Sequence, residues 1–250
     1  MPYAVLQTDL NVPTIEQLSR AFRSVPGLAP VDAHIIGRDA FGILVKDFSE
    51  QRAGALKTAL RGEGVETEIV DQALLPSLPA THFVHRCDCR PEHLLIYDPL
   101  GRTFPLEWQH IMAIAAGSVQ LTDFLQERRE IPKPSSRGRY AMVEMETETV
   151  WREERNPHLL AEIIITGGTL RYSIAAEKFN FAYLGERNMK NITANFSLFV
   201  RDLIQFSPNA VLNQGAATLR ADATKIFSYP SKNAFYEEIV WMLWQMRKAV

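Results

Sequence analysis

The sequence has little cysteine, no long apolar run and no excess of one charge, and each absence excludes a class of protein. Its 250 residues include two cysteines, Cys87 and Cys89, which stand too close along one predicted strand for an ordinary disulfide. A reducing cytoplasm is therefore the expected location. Without 18 consecutive apolar residues or a basic N-terminal region, we expect neither a transmembrane segment nor a signal peptide. The formal net charge of -2 gives no general attraction to nucleic acid, so no nucleic-acid partner is expected.

Motifs for catalysis are also missing. The chain contains no GxSxG elbow, no phosphate-binding P-loop, no GxGxxG fingerprint and no HExxH zinc motif. Glu144, Glu146 and Glu148 alternate along one predicted strand, a pattern typical of the solvated face of a sheet rather than of an acid/base pair. We therefore expect no catalytic residue, no cofactor and no enzyme activity.

What the sequence does contain is a change of pattern near residue 76. Residues 3–71 read β-α-β-β-α-β, with strands predicted at 3–6, 31–36, 41–45 and 65–70. Thr14 and Gln17 form a capping box that starts the first helix. Residues 72–80 hold two prolines and predict a stiff connector. We therefore predict two modules, residues 1–75 and 81–250, that fold separately.

The second module is predicted to be rich in strands. Alternation and turn signals place strands at 83–89, 93–97, 103–106, 140–150, 159–166 and 170–174, followed by helices ending near residues 206 and 248. This pattern predicts a sandwich or partly open barrel of about seven strands. Residues 127–139 read as a polar loop that is either a solvated connection or an anion-binding loop, with its positive charges at Arg128, Arg129, Lys133, Arg137 and Arg139.

Two segments resemble known domains. The split βαββαβ order is the ferredoxin-like arrangement, and residues 42–70 resemble the half-unit of ribosomal stalk-protein C-terminal domains and of protease adaptors. Residues 98–119, with Trp108, Ile111 and Ile114, resemble pleckstrin-homology-like β-domains that bind lipids or peptides. The overall pattern resembles that of a bacterial protein. The resemblances imply an α+β chain, a ferredoxin-like module followed by a pleckstrin-like β-barrel or sandwich with C-terminal helices.

One cluster has metal-like chemistry, and its members are His82, His85, Cys87, Cys89 and His93. A tetrahedral zinc site needs about four such ligands. Alternation along a strand would instead place both thiols on one face with Phe83, where cysteine packs as a small hydrophobe. We interpret the cysteines as core residues that bind no metal. The alternative is a metal-dependent or thiol-dependent hydrolase that uses this cluster.

The last predicted helix carries apolar residues outside the single stripe that would face a core. Val240, Trp241 and Trp244 fall outside the core stripe, which consists of Phe235, Ile239, Met242, Leu243 and Met246. A second buried face indicates contact with another module or with another chain. We therefore predict a non-enzymatic binding or scaffolding protein, with a protein partner or a homodimer formed through this helix.

Overall fold

The computed structural model describes residues 1–29, 31–133 and 144–248 and has a mixed α+β fold. The helices are α1 (Ile15–Arg23), α2 (Asp32–Asp39), α3 (Glu50–Gly62), α4 (Ile192–Phe206), α5 (Gln214–Ala221) and α6 (Lys232–Lys248). The strands are β1 (Tyr3–Gln7), β2 (Ile43–Phe48), β3 (Thr67–Asp71), β4 (Thr81–Phe83), β5 (Cys87–Cys89), β6 (His93–Tyr97), β7 (Thr103–Glu107), β8 (Ile111–Lys133), β9 (Glu144–Ile165), β10 (Arg171–Ala175), β11 (Val211–Leu212) and β12 (Ser228–Tyr229). None of the helices in these ranges is long and apolar enough to cross a membrane.

The N-terminal unit is a small sheet with helices on one face. Its strands run antiparallel in the order β2-β1-β3. The predicted capping box is confirmed, because Thr14 and Gln17 exchange hydrogen bonds at the start of α1. Helices α1, α2 and α3 bury their apolar residues against one face of the sheet, with Leu18, Phe22, Leu56 and Leu60 at the centre.

The predicted strand at residues 31–36 is wrong, because this segment starts α2. Ala33 and Ile36, three residues apart, pack against the N-terminal core, whereas Val31 and Ile35 are 65% and 63% exposed. This spacing is helical, and the run of branched residues that suggested a strand is divided between core and solvent. The sheet therefore has three strands rather than four.

A six-stranded central sheet forms the middle of the fold, with the order β11-β8-β9-β10-β4 and with β12 beside β8. Side chains alternate along β8, so that Ile114 and Ala116 face α4 and α5 while Ala113 and Ala115 face α6. A third sheet, β5-β6-β7, packs on the α4 side. Helices cover both faces of the central sheet, and in the described residues no sheet closes into a barrel, so the predicted barrel is replaced by stacked layers.

Other differences concern how far strands extend. The strands predicted at 140–150 and 159–166 are one strand, β9, over the described residues. Residues 127–133 of the predicted basic loop belong to β8, and residues 134–139 lie outside the described part of the chain. The loop prediction is wrong for 127–133, because a segment made mostly of charged residues lacks the apolar alternation used to recognise strands.

Helix α6 lies between the central sheet and the N-terminal sheet. Phe235, Ile239, Met242 and Leu243 pack on the central sheet. On the other side, Val240, Trp241 and Trp244 pack on the second face of the N-terminal sheet, which is formed by Ala4, Leu6, Ile43 and Val70. The prediction of a second buried face is confirmed, and the surface that covers it belongs to the other module of the same chain. Separate folding of residues 1–75 stays a prediction.

Two indole hydrogen bonds fix α6 against the N-terminal sheet. Trp241 Nε1 donates to the Gln7 carbonyl oxygen at 2.7 Å, and Trp244 Nε1 donates to Glu68 Oε1 at 3.0 Å. Gly42 has a φ of +83°, and a Cβ at this position would overlap the Trp241 side chain. The absence of a side chain at residue 42 is therefore what admits the indole.

We predict that Gly42→Ala destabilises the protein by about 3 kcal/mol, since it combines a strained positive φ with overpacking against Trp241. Gly64→Ala is the matched control, because Gly64 has a φ of +76° but open space around it. Gly64→Ala should lower the free energy of unfolding by only about 1 kcal/mol, because it introduces the strained φ without the overpacking. Urea unfolding of both variants gives the comparison. Equal losses would show that the Trp241 contact does not constrain position 42.

Candidate functional site

The predicted His and Cys cluster is dispersed in the structure. The single strand expected at 83–89 is two strands in different sheets, since β4 pairs with β10 while β5 pairs with β6. His82 and His85 are exposed, and His93 lies on β6. Within residues 1–29, 31–133 and 144–248, no group of three or more His, Cys, Asp or Glu side chains is placed to hold a metal ion. The residues His82 to His93 therefore do not form a common site in the described structure.

Both cysteines carry protonated thiols. Burial raises the pKa of Cys87 well above its ordinary value, and burial together with the nearby Asp202 carboxylate raises the pKa of Cys89 to about 12. Because the thiolate is the nucleophilic form, neither residue is activated for attack at neutral pH. Phe83 does not share the buried face with Cys87 as expected. It is 71% exposed, and Val84 packs beside Cys87 instead.

Cys89 does belong to a polar cluster that the sequence did not reveal. Tyr183 lies close to the Cys89 thiol, and its hydroxyl donates to Asp202 Oδ2 at 3.0 Å. Arg187 donates two hydrogen bonds to the same carboxylate, from Nη1 to Oδ1 at 3.0 Å and from Nη2 to Oδ2 at 2.7 Å. This bidentate pair fixes the Arg187 guanidinium at the mouth of a cavity beside the C-terminal half of α4.

The cavity has a volume of about 480 Å³ and is lined by three arginines, Arg187, Arg201 and Arg220. Ser207, the C-cap residue of α4, also lines it. The Ser207 side chain is buried, and its Oγ has no hydrogen-bond partner among the described residues. Arg220 could not be assigned to this place from the sequence, because α5 was not predicted.

Two buried carboxylates hold the layers together. Glu238 of α6 is fully buried and accepts hydrogen bonds from Tyr229 Oη at 2.5 Å and from the backbone N–H of Gln214 at 2.7 Å. Gln214 is the first residue of α5, so this carboxylate also lies at the positive end of that helix. Burial raises the pKa of Glu238, and the two hydrogen bonds partly offset this rise because they favour the ionised carboxylate.

Glu162 of β9 plays a similar part on the central sheet. Ser173 Oγ and Tyr236 Oη each donate to Glu162 Oε1 at 2.9 Å, and Arg171 Nη1 lies 3.6 Å from Oε2. Burial raises the pKa of this carboxyl, and Arg171 opposes the rise. Neither Glu162 nor Glu238 has any solvent exposure, so a substrate has no access to them. Their role is to connect α6 to its neighbours.

The other prominent feature is a long ribbon formed by β8 and β9. The two strands pair without a register shift from Ala113 opposite Ile164 to Lys133 opposite Glu144. β12 pairs with β8 only as far as Val119, and β10 pairs with β9 only as far as Leu160. Beyond those residues the described ribbon is two-stranded and extends by roughly 45 Å at about 3.4 Å per residue.

The ribbon exposes aromatic side chains. Phe124 and Trp151 are 62% and 64% exposed and lie on the same face, because Phe124 pairs with Glu153 and Gln126 pairs with Trp151. At the base, Asp123 Oδ2 accepts a hydrogen bond from Asn156 Nδ2 at 3.0 Å and lies 3.0 Å from His158 Nε2. The His158 contact lowers the pKa of Asp123. Cross-strand contacts thus stabilise the base of the ribbon, whereas Phe124 and Trp151 expose apolar surface to solvent further along it.

No protein-family model, curated protein or solved structure matches the chain. Inferences about function therefore depend on the geometry of the cavity and of the ribbon.

We predict that Cys87→Ala lowers the free energy of unfolding by about 1 kcal/mol, because it removes a small buried volume from the core around α4. Chemical unfolding measures the loss, and elemental analysis of the same preparations measures bound zinc. A wild type with one zinc per chain that Cys87→Ala loses would contradict the core assignment.

The stability of the protein should also depend on pH through the Glu238 carboxyl. Since the folded-state pKa of Glu238 is raised above its ordinary value of 4.5, the folded chain holds a proton that the unfolded chain has released. This contribution to stability is complete below pH 4.5 and is lost as the pH rises through the folded-state pKa. Wild type should therefore lose stability relative to Glu238→Gln as the pH is raised from 4.5, as measured by urea unfolding. Exposed Glu186→Gln is the control, and a difference that does not vary with pH would refute the assignment.

Proposed function

We propose that this protein is a non-enzymatic binding or scaffolding protein that assembles through the β8–β9 ribbon. Support comes from the outer edge of β8, along which no described strand pairs from Gln120 to Lys133. An edge strand presents backbone N–H and C=O groups with which another strand can pair. A two-stranded ribbon is also only marginally stable by itself in water, so pairing stabilises it.

The partner that fits this edge is a second copy of the chain. In an antiparallel arrangement with its two-fold axis at Arg128, residues 123–133 of one copy would pair with the same residues of the other. The two edges are identical, so each supplies the backbone N–H and C=O groups that the other needs. The described ribbon carries charges of both signs, such as Asp123 and Arg128, which makes it a poor surface for a polyanion.

The dimer would be a four-stranded sheet in the order β9-β8-β8-β9, with the β8 strands of the two copies at its centre. Such an isologous contact is the commonest way in which identical chains associate. Phe124 and Trp151 would lie on one face of this enlarged sheet, which gives a scaffold an apolar surface bounded by charged residues. The observation that carries the proposal is the edge of β8 that pairs with no described strand from Gln120 to Lys133.

The antiparallel order β2-β1-β3 supports a ferredoxin-like origin for residues 1–75, in which α2 replaces the second strand. A β-rich unit followed by a terminal helix that packs on its sheet supports the pleckstrin-like resemblance of residues 81–250. Either resemblance accords with binding rather than catalysis.

We predict that Arg128→Cys gives a disulfide-linked dimer under mild oxidation. With the axis at residue 128, the two introduced cysteines stand directly opposite each other, at a Cα separation of about 4.5–5.5 Å that suits a disulfide. Non-reducing electrophoresis measures the linked fraction, and light scattering of the wild type measures the dimer itself.

Thr122→Cys is the matched control, because it lies on the same exposed edge but away from the axis. It should give little linked dimer. A wild type that is monomeric at every concentration, or linkage as efficient at residue 122 as at residue 128, would overturn the proposed pairing.

A further inference from the structure

The arginine-lined cavity beside α4 has a surplus of positive charge. Its three guanidinium groups belong to Arg187, Arg201 and Arg220, and one carboxylate, Asp202, lies among the lining residues. Arg187 already satisfies Asp202 through two hydrogen bonds. Arg201 and Arg220 are exposed and have no ion-pair partner in the described part of the chain. The cavity therefore offers two uncompensated positive charges.

A buried polar group points independently to a ligand. Ser207 is 3% exposed, and its Oγ makes no hydrogen bond within the described residues. A buried hydroxyl without a partner costs free energy, and native structures contain few of them. Another basic cavity, at the base of the ribbon, is lined by Arg38, Arg155 and Lys232 and has no such buried unpartnered group among its described residues. Ser207 thus distinguishes the α4 cavity from a merely basic surface.

Apart from Gln205, the rest of the lining is apolar. Leu198, Ile204, Pro208, Ala210 and Leu212 contribute carbon surface between the charged groups. The volume of about 480 Å³ is within the range of small-molecule sites, which combine apolar walls with a few oriented polar groups. A bare inorganic ion would leave most of this surface uncovered.

We infer that this cavity binds a small organic dianion, with a phosphate or two carboxylates held by Arg201 and Arg220 and an apolar part against Ile204 and Leu212. Guanidinium groups pair with both kinds of oxyanion through two parallel hydrogen bonds. Arg187, positioned by Asp202, forms the fixed side of the site, and the Ser207 hydroxyl is available to donate to the ligand. This site is separate from the ribbon, so it can exist whether or not the chain dimerises.

The test is calorimetric titration of the full chain at constant ionic strength with three probes: inorganic phosphate, phenyl phosphate and succinate. We expect saturable binding, with phenyl phosphate tighter than inorganic phosphate because of the apolar lining. Comparison with succinate distinguishes a phosphate ligand from a dicarboxylate. If none of the three probes binds saturably, the inference is overturned.

Single substitutions test whether the probes bind in the cavity beside α4. Arg201→Gln and Arg220→Gln should each weaken binding of the best probe about tenfold, the effect of removing one charge-assisted hydrogen bond. Ser207→Ala should weaken it by a smaller factor without lowering the melting temperature, since it deletes an unpartnered group. Arg155→Gln, from the basic cavity at the ribbon base, is the matched control and should bind as the wild type does. Unchanged affinity in both Arg201→Gln and Arg220→Gln, or an equal loss in Arg155→Gln, would refute this location.

Discussion

Burial of α6 on two sides is the constraint on which the other packing depends. The helix supplies the apolar cover for one face of the central sheet and for the second face of the N-terminal sheet. Two sheets that each need a cover therefore share one element, and the indole of Trp241 reaches the N-terminal sheet only because residue 42 is glycine. The buried Glu238 carboxylate then ties the same helix to α5 and to Tyr229. A substitution in α6 should consequently alter the packing of both the central sheet and the N-terminal sheet, as expected of a close-packed interior.

The central strands also set the direction of the ribbon. β8 runs through the core first, with Ala113, Ile114 and Ala115 buried between helices, and leaves it past Val119, whereas β9 starts in the exposed ribbon and enters the core near Leu160. Because the register is continuous, the ribbon inherits its orientation and face from the buried part of the same strands. The arginine-lined cavity lies beside α4, on the face of the sheet opposite α6. Ligand site and ribbon are therefore both attached to one rigid sheet, which is how a binding site on a scaffold is held in fixed geometry.

The sequence predicted well those elements whose periodicity is locally complete. The apolar stripe and the extra tryptophans of α6 were sufficient to predict a helix with two buried faces, and the Thr14 capping box marked the start of α1. The sequence-based predictions were wrong where contacts between distant parts of the chain determine the secondary structure. Residues 31–36 contain valine and isoleucines, but they start a helix because Ala33 and Ile36 pack on the core. Residues 127–133 are mostly charged, yet they pair with β9 as part of β8. The cavity could not be predicted at all, since Arg187, Arg201 and Arg220 come from three segments that only the fold brings together.

The position of α6 along the chain has a consequence for synthesis. Strand β3 ends at Asp71, whereas α6 begins at Lys232, so roughly 160 residues are translated between them. At about 5–20 residues per second this takes roughly 10–30 s. If residues 1–75 fold during that interval, the sheet face formed by Ala4, Leu6, Ile43 and Val70 stays uncovered until α6 is made. A nascent chain at this stage would present an apolar surface that a ribosome-associated chaperone can bind, and Trp241 and Trp244 would later displace the chaperone.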